Sequence, residues 1–140
     1  EAVDWAVPSL VTAHYGPYTF MLEKDGAKLG VPVPLFNLVY HDCIVLPWFL
    51  DSDKPEEDYM LYALLNGGAA YLDCELDGEE LERAVSRYRT VAELQEKVAY
   101  CEMVRHEFLD DGYKKQKTVF ADGTEVVVDL EAGTYEISCG

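Results

Sequence analysis

Between Val33 and Trp48 the chain reads VPLFNLVYHDCIVLPW, an apolar run interrupted only by Asn37 and by a His-Asp pair, His41 and Asp42. Leu, Val, Phe and Tyr without polar alternation predict a strand over 33–40 covered on both faces, as in a parallel sheet. The next segment, DSDKPEED, is an acidic turn in which Ser52 or Asp53 can cap a helix over 56–66, with Glu56, Glu57 and Asp58 near its positive end. Gly67-Gly68 stops that helix, and Ala69 to Cys74 reads as a second short buried strand. Residues 33–74 are therefore expected to form a strand-helix-strand unit with parallel strands and a right-handed crossover.

Further on, the pattern predicts a short helix over 79–87 and a longer one from Thr90, where T-V-A-E reads as a capping box with Glu93 reaching back. Val91, Leu94, Val98, Cys101 and Phe108 supply its apolar stripe, which reads as core packing. From Asp111 the residues alternate polar and apolar around Asp122-Gly123 and Ala132-Gly133, predicting an antiparallel meander of three strands. Residues 1–30, punctuated by Pro8, Gly16-Pro17, Asp25-Gly26 and Gly30, read as strand ends and long loops.

The 140 residues are 49% hydrophobic, enough to bury a core. A formal net charge of −16 repels phosphate, so nucleic acid and anionic membranes are not expected partners, and cations or neutral ligands fit better. Most of the charge lies in the middle of the chain, −10 over residues 51–110 against −3 on either side, where it reads as the solvated face of helices. Cysteines at 43, 74, 101 and 139 form no CxxC pair and histidines at 14, 41 and 106 are equally scattered, so neither a metal site nor a cofactor is expected. Cys43, Cys74 and Cys101 read as small buried hydrophobes. No apolar run has membrane-spanning length, and a chain opening EAVDW without Met is expected to lack its natural start. The compartment stays undecided, cytoplasm being favoured over secretion.

Candidate chemistry gathers at His41 and Asp42, because ligands of parallel sheets bind beyond the carboxyl ends of the strands. The alternative is that Asp42 caps the next turn and His41 is a satisfied core imidazole. Tyr15, Tyr18, Tyr40, Trp48 and Phe49 could serve as platforms for sugar faces or as packing residues, with Tyr18 and Trp48 placed on proline-punctuated loops.

The motif Asn37-Leu38-Val39-Tyr40-His41-Asp42 resembles the late-strand motif of α-amylase-like glycoside hydrolases, in which a short strand ends in His-Asp beside the sugar subsite. ALLNGGAAYL, Ala63 to Leu72, is similar to the helix end and last strand of such a barrel, and TVFADGTEVVVD, Thr118 to Asp129, to the β-domain appended after it. EAVDWAVP and PVPLFNLVYHD also resemble bacterial glycosidase-like proteins related to endo-α-N-acetylgalactosaminidases. The resemblance implies an α/β fold, the last strands and helices of a TIM-type (β/α)8 barrel over 1–110 followed by the start of an antiparallel β-domain over 111–140. It implies a glycosidase using two carboxylates through an oxocarbenium-like transition state. Asp42 would be the catalytic stabiliser and sugar-hydroxyl acceptor, with His41 a hydroxyl donor and Tyr40, Trp48, Tyr18 and Asp4 lining the substrate. Glu1, with Asp4, would belong to an earlier strand-end acid site. A whole barrel needs about 250 residues. This chain is therefore expected to be a fragment of a glycosidase, inactive alone, whose sheet is covered by the remainder of the barrel or an oligomer partner and whose ligand is a carbohydrate. If instead complete, it would be a small α+β carbohydrate-binding or structural module without catalysis.

Overall fold

A computed structural model describes residues 23–24, 27–28, 33–49, 59–71, 75 and 77–140. Strands β1 (Glu23–Lys24) and β2 (Ala27–Lys28) pair antiparallel ahead of helix α1 (Leu35–Tyr40). Strand β3 (Pro47–Phe49), helix α2 (Tyr59–Leu65) and strand β4 (Ala69–Tyr71) come next, then the long helix α3 (Gly78–Val98). Strands β5 (Met103–Phe108), β6 (Lys115–Phe120), β7 (Glu125–Asp129) and β8 (Thr134–Ser138) form one antiparallel sheet in sequence order.

The strand expected over 33–40 is a helix. Pro34, which has no N–H to donate, stands at its start and accepts from the Leu38 N–H at 2.9 Å, and the His41 N–H closes the last turn on the Asn37 carbonyl at 3.0 Å. Residues four apart share a face: Phe36 and Tyr40 stack with ring centroids 5.1 Å apart, Asn37 and His41 are both buried, and Leu35 and Val39 are both exposed. An apolar run of this length carries no period that separates a buried strand from a buried helix, and here tertiary partners decide. Asp42 therefore follows a helix, not a strand.

The strand-helix-strand unit exists with its first strand displaced. β3, not 33–40, pairs parallel with β4, in the register Pro47 to Ala69, Trp48 to Ala70 and Phe49 to Tyr71. Trp48 is thus a strand residue, 4% exposed, where a loop was expected. Tight packing after α2 requires both glycines. Gly67 has φ +58°, and a Cβ there would meet His41 Nε2 and, at 2.9 Å, Phe120 Cζ. A Cβ on Gly68 would strike the Trp48 indole, 2.6 Å from Nε1.

The two helices expected from residue 79 onward are one. Glu79 and Glu80 sit in the first turn of α3 and Lys97 in the last, each favourable to the helix dipole. The Thr90 hydroxyl donates to the Ser86 carbonyl inside the helix at 3.4 Å, so no capping box forms. Ala84, Tyr88, Val91, Leu94 and Val98 make the buried stripe; Cys101 falls in the turn after α3 and Phe108 on β5. The expected three-stranded meander gains β5 as a fourth strand. Nor are the described cysteines small buried hydrophobes: Cys43 and Cys139 are exposed and Cys101 is half-buried, Cys43 because it follows α1 in a turn.

Directly opposed residues of the sheet form rows on one face: His106, Thr118, Val126 and Ile137, then Phe108, Gln116, Val128 and Tyr135. Phe120, Val126 and Val128 of that face join Leu61, Leu64, Val91, Val98 and Met103 in the core. Tyr113, in the β5–β6 loop, is the one non-glycine with positive φ among the described residues, at 57°. That conformation costs about 1–2 kcal/mol for a side chain with a Cβ.

Substituting Gly68→Ala should destabilise the protein by about 1–3 kcal/mol through the forced shift of Trp48. A urea midpoint unchanged from that of the natural sequence would show that the indole yields freely.

Candidate functional site

The His-Asp pair lies where three segments meet. His41, 5% exposed, points inward from the end of α1. Its Nδ1 lies 2.7 Å from the Cys101 carbonyl oxygen, its Nε2 lies 3.2 Å from that of Gly67, and its ring stacks at 5.0 Å on Phe120. A neutral imidazole has one N–H and donates to one of these oxygens, the shorter contact singling out Cys101; only the doubly protonated ring donates to both. One turn earlier, Asn37 Nδ2 donates to Asn66 Oδ1 at 2.5 Å, and Asn66 Nδ2 donates to the Tyr62 carbonyl at 2.8 Å. Asn37, Asn66 and His41 are all buried, so this polar seam joins α1 to the end of α2 and to the α3–β5 turn.

Asp42 faces the other way. Its carboxylate is exposed and accepts the Cys43 thiol hydrogen at 3.2 Å. That bond, ahead of the other contributions, pushes the Cys43 thiol up from its ordinary value, keeping it protonated and poorly nucleophilic. Positions 35 and 39 share one side of the helix, so Leu35, at 66% exposure, and Val39, at 61%, form an exposed apolar stripe on α1.

Of the other expected site residues, Tyr40 is half-buried against Phe36, and Trp48 is buried in β3. Glu1, Asp4, Tyr15 and Tyr18 lie outside the described residues, as do Cys74, the Phe49 side chain and the expected helix caps Ser52 and Asp53. Sequence reasoning passed over Asn37 and Asn66. The signal available was Asn37 itself, a polar residue four positions before His41 in an apolar run. Among the described residues no three His, Cys, Asp or Glu side chains gather to hold a metal ion, and no helix is long and apolar enough to cross a membrane.

His106, on β5, is half-buried; its Nδ1 meets the Thr118 hydroxyl at 3.3 Å and its ring meets Phe108 edge-on at 5.1 Å. Burial lowers its pKa below the ordinary 6.5, against the smaller opposing pull of Glu107.

Replacing His41→Ala leaves the Cys101 carbonyl without its side-chain donor and should lower stability by about 1–3 kcal/mol, read from urea unfolding. His106 produces a pH effect of defined sign. Below its unfolded pKa, near 6.5, the unfolded chain binds a proton that the folded chain refuses, so stability falls as pH drops toward the lower folded value. Thermal unfolding between pH 7.5 and 5 should show this slope, and His106→Gln should flatten it; an unchanged slope would assign it to other groups.

No protein-family model and no curated protein sequence matches the chain. Solved structures do. The ligand-free α-N-acetylgalactosaminidase NagBb from Bifidobacterium bifidum is 48% identical over 96% of this chain, with a TM-score of 0.80. Its GalNAc complex is likewise 48% identical over 96%, at a TM-score of 0.79, and a quadruple mutant of the same enzyme is 49% identical over 98%, at 0.83. This chain spans 22% of the length of each of those three. Mixed helices and a four-stranded antiparallel sheet, matched at these values, give it the fold of a segment of a glycosidase.

Proposed function

We propose that this chain works as part of a longer glycoside hydrolase that cleaves α-linked N-acetylgalactosamine, and that the turn after α1 contributes to the wall of its sugar subsite. The carrying observation is the 46–49% identity to an α-N-acetylgalactosaminidase, sustained over nearly the whole chain and including a structure in complex with GalNAc. The parallel pair β3 and β4, joined through α2, supports a place at the end of a (β/α)8 barrel, with the β5–β8 sheet as the appended domain.

In this reading Asp42, exposed at the turn, accepts sugar hydroxyls and stabilises the positive charge that develops on the sugar ring. His41 positions it: the buried ring faces backbone oxygens with both nitrogens and donates to the nearer, that of Cys101, so the imidazole fixes the end of α1 rather than reaching into solvent. Glu1 and Asp4 are the further carboxylates, and Tyr18 and Tyr40 the rings, that the resemblance offers to the same subsite. A retaining or inverting reaction needs two carboxyl groups flanking one glycosidic bond, and a closed cleft to hold the sugar. The exposed stripe of Leu35 and Val39 is the surface on which the rest of that cleft would rest.

In the full-length protein Asp42→Asn should reduce turnover of an aryl α-N-acetylgalactosaminide on the order of 10²-fold or more with the melting temperature unchanged. Equal turnover would reduce Asp42 to an ordinary turn residue. The 140-residue chain alone should release no aryl group above the buffer rate, and release abolished by Asp42→Asn would make it an enzyme in its own right.

A further inference from the structure

The β5–β6 loop holds a tyrosine in a conformation that suits glycine or asparagine better. Tyr113, at φ 57°, keeps 47% of its surface exposed and so gains little burial in return. The loop around it is tightly bonded. Asp110 accepts the backbone N–H of Lys115 at 2.6 Å and of Gly112 at 3.0 Å, which holds its carboxyl below the usual carboxylate range. The Tyr113 N–H donates to the Asp110 carbonyl at 3.3 Å, and Gln116 Nε2 donates to the Tyr113 carbonyl at 2.8 Å. Behind the exposed ring, Phe108 meets Tyr113 edge-on at 5.2 Å and His106 meets Phe108 at 5.1 Å. The result is a run of three rings in edge-on contact, His106 to Phe108 to Tyr113, that ends in a half-exposed tyrosine. Tyr113 stands beyond the end of β6 opposite to Phe120, the ring that stacks on His41.

We propose that Tyr113 is the platform of a carbohydrate-binding site that takes the apolar face of a neutral pyranose. A pyranose matches on three counts. Its C–H face packs on an exposed aromatic ring, and its hydroxyls can reach the phenol. Its neutrality suits a protein of net charge −16 that repels anions, at a place where the Asp110 charge is already engaged by backbone N–H groups and so is a poor anchor for a cation. The inference extends the carbohydrate reading to a second surface and requires no cleavage.

Amide shifts of the ¹⁵N-labelled chain, followed while N-acetylgalactosamine, galactose or glucose is added, test it residue by residue. Saturable shifts at Gly112 to Gln116 are expected with at least one sugar. Tyr113→Asn should abolish them while the melting temperature stays equal or rises, since asparagine tolerates positive φ; Tyr113→Phe should retain most of the binding. No shift in this loop with any of the three sugars overturns the proposal, as do shifts that persist in Tyr113→Asn, or shifts evoked by tetramethylammonium and by no sugar. Because the readout is confined to these amides, it stands or falls separately from glycoside hydrolysis by the longer protein.

Discussion

The contact on which the arrangement of this chain depends is the inward turn of His41. One imidazole, reached by carbonyl oxygens from the α2–β4 turn and from the α3–β5 turn and stacked on a sheet phenylalanine, ties together the helix α1, the parallel pair and the antiparallel sheet. The Asn37–Asn66 bond repeats the linkage one turn earlier. Buried polar groups of this kind tolerate few alternative arrangements, because each mismatch strands a donor or acceptor away from water. Gly67 belongs to the same constraint: its missing side chain is the space that the imidazole and the Phe120 ring occupy.

That inward commitment divides the labour of two adjacent residues. A buried histidine whose two ring nitrogens both face backbone oxygens does not present itself to a ligand, whereas Asp42, one residue on, is exposed to solvent. Helix α3 is nearly balanced in charge: Glu79, Glu80, Glu82, Glu93 and Glu96 are set against Arg83, Arg87, Arg89 and Lys97, so most of the acid in the middle of the chain lies outside this helix, whose apolar side fills the core.

Much of the sheet was legible in the residues. Asp122-Gly123 and Ala132-Gly133 mark hairpins where Gly123 and Gly133 adopt φ of +87° and +66°, and the alternation of EVVVD appears directly as buried Val126 and Val128. Gly67-Gly68 as a helix stop was equally plain, since both positions lack room for a Cβ. The segment 33–40 was not legible, because Leu, Val and Phe satisfy a buried strand and a buried helix alike until partners are present. Thr90 misled for a related reason: a threonine followed three residues later by glutamate caps a helix only where the backbone before it leaves the helical path, and here it does not. Asp42 and His41 were picked out as a pair by position, but which of the two would face inward depends on Gly67 and Cys101, 26 and 60 residues from the histidine.

Those separations bear on how the chain acquires its shape. Six residues are too few for a helix to hold itself in water, so α1 depends on bonds to groups far along the sequence. The Cys101 acceptor lies 60 residues beyond the imidazole, so making that contact closes a long loop, the kind of non-local pairing that slows folding. The turn bearing Asp42 is thus held in place from the end of α3, and a change at Cys101 or Gly67 would reach it without touching the turn itself.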